Sequence, residues 1–387
     1  MARYANLKDY EKCGFASRGA MQRALSLCSL SAKSEREAFK AKVLRGDRAQ
    51  LAERLESFNS GAEFKRSPFF IEGPAAIGVS GGRTSGYMLW RILEAHGGQL
   101  PDDVVCIFQN TGKERDETLD FLHEIETRWN VPIIWLEYVA PEVKGGAPRT
   151  SRYRRVTYET AYRNSWPDQF DGDQAKVDLL PGEEVRRRPF NAMFDCYTHY
   201  RAAKGEPPVV PNIRQRFCTG QMKMKTQSRY LIDEGWDDWT GVAGIRHDEP
   251  RRIANARLSL LSEKVEPIFP LNDAKVDEDE VMAFWASQDF DLDLEQGEGN
   301  CDICFLKSVP KQLAIMRRYP HLASWWIDRE KEVGDVFRRD LSRKPDAEGR
   351  TGFAKMLARA QNLSDRDLKQ MVNSGMYADT IPCSCTD

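Results

Sequence analysis

The 387-residue sequence predicts an α/β fold: a doubly wound parallel sheet with a helical N-terminal extension and a helical C-terminal region. Three observations lead there. Short apolar runs alternate with amphipathic stretches over residues 75–136, a glycine-rich loop joins the first run to its helix, and the last quarter of the chain carries helical periodicity. Short apolar strands separated by helical crossovers belong to a parallel sheet covered on both faces. Ligands of such sheets gather at the carboxyl ends of the strands.

Taken in order, residues 1–70 read as a mostly helical extension, with Ser34 and Glu37 spaced as a capping box. Asn59-Ser60-Gly61 and Pro68 punctuate its end. The pattern then predicts a strand over 76–79, a helix over 85–95 stopped by Gly97-Gly98, a strand over 104–108, a helix over 117–129 and a strand over 133–136. Prolines, glycines and charges break this rhythm over about 140–215, which reads as an insertion carrying some helix. A helix near 222–234, a strand near 239–243 and a helix over 277–288 follow. An acidic segment comes next, then helix as far as Gly375. The division expected is therefore 1–70, 71–310 and 311–387, the last ending in a tail with Cys383 and Cys385.

Composition narrows the function classes. With 57 Lys and Arg against 59 Asp and Glu, the net charge of -2 leaves no global footprint for nucleic acid, so such binding needs local basic patches. No run approaches the roughly 18 apolar residues of a membrane span, and the first residues lack the apolar core of a secretory signal. A cytoplasmic protein with no membrane partner is expected. Nine cysteines, odd in number and including a Cys-x-x-Cys pair, point to metal, cluster or redox use over a secreted disulfide framework.

Ser80-Gly81-Gly82-Arg83-Thr84-Ser85 sits directly after the first strand and before its helix. Two adjacent glycines let the backbone turn and present successive N–H groups to an anion, and the helix start adds favourable partial charge. Ser80, Thr84 and Ser85 add hydroxyl donors. The Gly-x-x-x-x-Gly-Lys spacing of a Walker loop is absent. The hexapeptide resembles the Ser-Gly-Gly-x-Thr/Asp-Ser loop of PP-loop ATP pyrophosphatases, also known as adenine nucleotide alpha hydrolases.

Three further segments resemble, in order, the phosphoadenosine phosphosulfate reductase-like branch of that superfamily. Asn110-Thr111-Gly112-Lys113-Glu114 is similar to its Thr-Gly-x-Glu segment. Arg216-Phe217-Cys218-Thr219 with Lys223 is similar to its Arg-x-Cys-(Cys/Thr) and Lys segment, and Gly244-Ile245-Arg246-His247-Asp248-Glu249 to its Gly-Ile-Arg-x-x-Glu segment. The resemblance spans about residues 75–310. It implies an adenine nucleotide, ATP or phosphoadenosine phosphosulfate, held by Ser80–Ser85, Thr111, Gly112, Glu114, Gly244 and Arg246, with Mg accompanying ATP. Lys223 and Arg246 are the expected catalytic cations.

Cys301-Asp302-Ile303-Cys304 places two thiolates within reach of one metal centre, and Cys218 adds a third candidate. Zinc completed by His247 or Cys196 fits this pattern. The resemblance implies instead a 4Fe-4S cluster on Cys218, Cys301 and Cys304, with Cys196 as fourth ligand or one iron left open for a sulfide. The branch's adjacent Cys-Cys is replaced here by Cys218-Thr219, and its C-terminal Glu-Cys-Gly by Cys383-Ser384-Cys385. Cys106, inside an apolar strand, reads as a packing residue.

Arg149, Arg152, Arg154 and Arg155 interleave with Tyr153 and Tyr158, and Arg186, Arg187 and Arg188 form a second cluster, a composition suited to phosphate contacts and base stacking. Three functions follow. The first is an ATP-dependent sulfurtransferase that adenylates an acceptor, DNA phosphate or tRNA, with release of pyrophosphate, after which a cluster-bound sulfide or persulfide displaces AMP; a sulfur donor protein is a candidate partner. The second is a sulfonucleotide reductase forming sulfite. The third is a non-catalytic nucleotide-binding regulator.

Overall fold

In the computed structural model the described residues are 67–142, 147–170, 186–212, 215–259, 265–295, 297–338 and 352–373. The extension expected over 1–70 lies outside them up to residue 66, as do the tail cysteines Cys383 and Cys385. The chain divides into two units, Met1–Ser67 with Ser259–Glu266, and Pro68–Leu258 with Pro267–Asp387. The second carries the site.

Its elements begin with β1 (Ala75–Gly78), α1 (Arg83–Ala95), β2 (Val104–Asn110), α2 (Asp116–Arg128), β3 (Ile133–Val139) and β4 (Arg152–Val156). The short strands β5 (Gln169–Phe170) and β6 (Arg186–Arg187) precede α3 (Pro189–Ala202), a π-helical turn (Thr219–Lys225), α4 (Thr226–Asp233) and β7 (Trp239–Ala243). After these come α5 (Pro250–Ser259), β8 (Val265–Ile268), α6 (Pro270–Asp273), α7 (Glu278–Ala286), α8 (Val309–Arg318), α9 (Ala323–Val333), α10 (Phe353–Asn362) and α11 (Asp365–Asn373).

Six strands form one sheet in the order β4-β3-β2-β1-β7-β8. β1 runs parallel to both β2 and β7, with Ile77 opposite Cys106 and Val242, and β2 runs parallel to β3. β4 returns antiparallel along β3. The chain thus moves outward from β1 through β2 to β3, then resumes on the other side of β1 with β7.

The central strands β1, β2 and β3 are apolar over most of their length because both faces are covered. Ala75, Ile77, Cys106, Phe108, Ile133 and Trp135 pack on one face with Leu89 and Ile92 of α1, Leu122 of α2 and Trp285 of α7. The alternate residues Ala76, Ile107 and Leu136 are buried too. α4 packs against β2, β3 and β4, and α3 against β3. A second core joins α3 to α8, α9 and α10 through Phe190, Phe305, Trp326 and Phe353.

Two strands run further than their apolar residues suggest. β2 continues through Gln109 to Asn110 and β3 through Glu137 to Val139; these polar residues are buried, Gln109 donating to Gln227 Oε1 (2.9 Å) and Asn110 to Glu137 Oε1 (2.8 Å). The insertion holds an unexpected strand, β4, whose arginines mask the alternation. The helix expected over 222–234 begins instead as a π-helical turn, a distortion common near functional sites.

Candidate functional site

The glycine loop follows β1 at its carboxyl end. Gly81 has φ +80°, and a Cβ there would lie 2.3 Å from Thr118 Cγ2 of α2, so the position needs glycine for both conformation and space. Gly82 is extended (φ -97°, ψ 162°) at the N-cap of α1 and no side chain caps the helix, which leaves its first N–H groups facing the loop. Ser85 Oγ accepts from Ser80 N (3.2 Å) and donates to Gly82 O (2.9 Å), holding the loop in a tight curl. Arg83 turns elsewhere: its guanidinium grips Asp291 (2.8 and 3.0 Å) and donates to Leu292 O and Leu294 O, tying the acidic segment to α1.

The segment after β7 lies against this loop. A Cβ on Gly244 would sit 3.3 Å from Ser85 Cα, a close approach that a small residue permits. Arg246 Nη1 donates to Thr84 Oγ1 at 3.2 Å while its Nε and Nη2 hold Asp248 at 3.0 and 3.3 Å. Glu278 stands 3.7 Å from the same guanidinium, and Glu249 Oε2 accepts from Arg246 N (3.1 Å). Burial works against the charge of Arg246, but these carboxylates outweigh it and raise its pKa. Ser80–Ser85, Gly244 and Arg246 are therefore assembled at the carboxyl ends of two neighbouring parallel strands, on either side of the point where the strand order reverses.

The segment after β2 forms a second cluster. Glu114 Oε2 accepts from Thr111 N (2.8 Å) and Thr111 Oγ1 (2.6 Å), closing a small loop at the end of the strand. Cys301 pairs with Glu114 across an isolated antiparallel bridge, and its Sγ lies 3.5 Å from Thr111 Oγ1 and 3.7 Å from Glu114 Oε1. Lys223 Nζ of the π-helical turn reaches the same carboxylate oxygen at 3.6 Å. Gly112 is fixed by hydrogen bonds from its N to Asn110 Oδ1 (3.0 Å) and from Arg188 Nη1 to its carbonyl. Buried Thr111, Glu114 and Cys301 and half-buried Lys223 are thus one constellation.

Cys301 lies within electrostatic reach of Cys304, and Cys304 packs against the core that contains Cys218. Burial beside Glu114 pushes the Cys301 thiol well up, with Lys223 opposing and Cys304 adding to the effect. Cys196 is raised by burial and faces Tyr138, Arg229 and Asp195. Cys218 packs in the second core. Among the described residues no group of three or more Cys, His, Asp and Glu side chains could hold a metal ion. Cys106 is buried in β2, its thiol raised by burial.

The chain is similar to a phage protein. That protein is described as "Uncharacterized nin region protein ORF290" of Escherichia phage lambda, 28% identical over 238 residues, which are 61% of this chain and 67% of that one. No family model and no solved structure matches the chain.

Sequence reasoning missed the polar knot behind the second cluster. Lys113 Nζ and Asp302 Oδ2 pair at 2.8 Å with side chains 4% and 0% exposed. Asn164 bridges them, accepting from Lys113 (3.1 Å) and donating to Asp302 (3.0 Å), while Trp326 Nε1 donates to Asp302 Oδ1 (2.8 Å). Lys113 also lies 5.0 Å from the Trp325 ring centre. A lysine between Gly112 and Glu114 reads as a solvated helix start, and nothing in the sequence announces so distant a partner. Several arginines of the insertion are likewise structural: Arg154 pairs with buried Glu137 (3.3 Å), Arg187 with Asp195 and Arg188 with Asp168 (3.1 Å).

Proposed function

We propose that this chain is a PP-loop enzyme on a doubly wound sheet, of the phosphoadenosine phosphosulfate reductase-like type, which binds ATP and activates an acceptor for sulfur transfer. The observation that carries this reading is the hydrogen bond from Arg246 to Thr84, which joins the glycine loop after β1 to the Gly-Ile-Arg segment after β7. Both strands end at the point where the order reverses, the crevice in which open α/β sheets take nucleotides. The four collinear motifs give it independent support.

On this reading the phosphates lie along Ser80–Ser85 against the N–H groups at the start of α1. An acceptor oxygen attacks the α-phosphorus, the bond to the bridging oxygen breaks, and pyrophosphate leaves with the electron pair. Arg246 stabilises the charge that develops on the phosphates. Adenylation turns a poor leaving group into AMP, which a sulfur nucleophile then displaces. Lys223, Glu114, Thr111 and Cys301 form the neighbouring cluster where the chain's own thiol meets a carboxylate and an ammonium. Sulfur chemistry is assigned to that cluster.

The test is anaerobic incubation of the purified protein with ATP and candidate acceptors, followed by assay of pyrophosphate and AMP. Acceptor-dependent pyrophosphate release is expected. Thiol-dependent sulfite from phosphoadenosine phosphosulfate, without pyrophosphate from ATP, would replace this reading with sulfonucleotide reduction. Nucleotide binding with neither product would leave a non-catalytic binding protein.

A further inference from the structure

The arginines of the insertion that sequence pattern singles out are largely committed to carboxylates: Arg152 to Glu142, Arg154 to Glu137, Arg187 to Asp195 and Arg188 to Asp168. A different set of cations is not. Lys225 and Arg229 lie one turn apart where the π-helical turn passes into α4, and among the described residues neither forms an ion pair. Partial desolvation of an otherwise exposed side chain and the nearby Arg229 guanidinium push the Lys225 pKa down, and burial lowers that of Arg229. No carboxylate compensates them. Two cations held together in this way store an electrostatic cost that an anion would relieve.

The local structure holds them there. Arg229 Nη2 donates to the carbonyls of Pro148 (3.3 Å) and Arg149 (3.2 Å), fastening the turn at Pro148–Thr150 to α4 with the Arg149 side chain exposed beside it. With its amide turned so that oxygen and nitrogen exchange places, Gln221 donates to Pro148 O (3.3 Å) and accepts from Lys225 Nζ (2.8 Å). Lys223, two residues earlier on the same turn, reaches Glu114 of the thiol cluster. Between Lys223 and Lys225, Met224 is 42% exposed and offers an apolar face.

The cations come from three separate elements, the Pro148–Thr150 turn, the π-helical turn and α4. Spread in this way they suit successive phosphates of a backbone, and an exposed apolar side chain among them suits a base. We propose that Arg149, Lys225 and Arg229 form a docking surface for the phosphodiester backbone of a nucleic acid, leading towards Lys223 and Glu114. The surface stands on its own geometry. Only the role of that nucleic acid as the sulfur acceptor rests on the function proposed above.

The experiment is fluorescence anisotropy of the full chain with labelled single-stranded DNA, single-stranded RNA and duplex DNA, with salt varied from about 50 to 200 mM. Binding of at least one of these is expected, weakened on the order of tenfold or more by K225E. K225Q should lower the slope of log affinity against log salt by about 1, as loss of one phosphate contact does. K331Q, at an exposed lysine on α9, should bind like the unaltered protein. Lys225 is exposed, so these variants do not test the fold, whereas Arg229 also fastens a turn and serves only as the charge-keeping R229K.

Equal binding by K225E and the unaltered chain would overturn the proposal, as would binding of inorganic phosphate alone with no oligonucleotide bound. ATP titration of the same samples separates the two readings. Lys225-dependent oligonucleotide binding in a protein that neither binds nor cleaves ATP would sink the nucleotide reading and leave this surface standing. ATP turnover with no oligonucleotide binding would do the reverse.

Discussion

Glu330 of α9 is a carboxyl group whose surroundings set its response to pH. It is buried, its Oε1 accepts from Phe337 N (3.0 Å) and its Oε2 from Phe353 N (2.7 Å) at the start of α10. Burial raises its pKa to about 7 from 4.5, with the two N–H donors opposing. Because the folded value lies above the unfolded one, stability from this group is complete below about 4.5 and is lost as pH rises through about 7. The loss amounts to about 3 kcal/mol. Urea unfolding at a series of pH values should show that slope, and E330Q should flatten it. No such behaviour is legible in the sequence, where Glu330 sits in an ordinary charged helix between Arg329 and Lys331. Arginines pose the same problem. Arg246 and Arg154 look alike in the chain, but one reaches Thr84 of the glycine loop and the other is consumed by Glu137.

Elements were more legible than their polar ends. The strand over 239–243 and the succession of β1, α1, β2, α2 and β3 follow directly from apolar runs and glycine stops. The last residues of β2 and β3 do not, because Gln109, Asn110 and Glu137 are buried for hydrogen bonding and no apolar pattern marks them. The Lys113–Asp302 pair shows why the site was only half readable: its partners lie on segments distant in sequence, and only folding brings the loop after β2 to the Cys-x-x-Cys turn. Removing one member should strand the other charge away from water. K113M should therefore cost about 3–5 kcal/mol in urea unfolding. The double substitution K113M/D302N should recover part of that loss, since an amide oxygen in place of the Asp302 carboxylate can still accept from Trp326 and leaves no isolated charge.

At the scale of the whole molecule, the proposed nucleotide site joins parts of the chain that are far apart in sequence. A ligand bridging the loops after β1 and β7 would stabilise the folded unit that contains both. ATP at a hundredfold excess over its Kd should add about 2.7 kcal/mol, read as a rise in Tm. R246Q should abolish most of that rise, and R246K should not restore it, because a point charge cannot replace the planar fork that spans Thr84 and Asp248.

β4 has a bearing on how the protein behaves at high concentration. It is the outermost strand on its side of the sheet, and three of its five residues are arginine, one of them turned inward onto Glu137. A bare strand edge invites a neighbouring molecule to continue the sheet, and charges along that edge oppose it. The exposed Arg152 and Arg155 thus guard against runaway pairing between copies, and a variant with R152V and R155V would be the one to watch for precipitation.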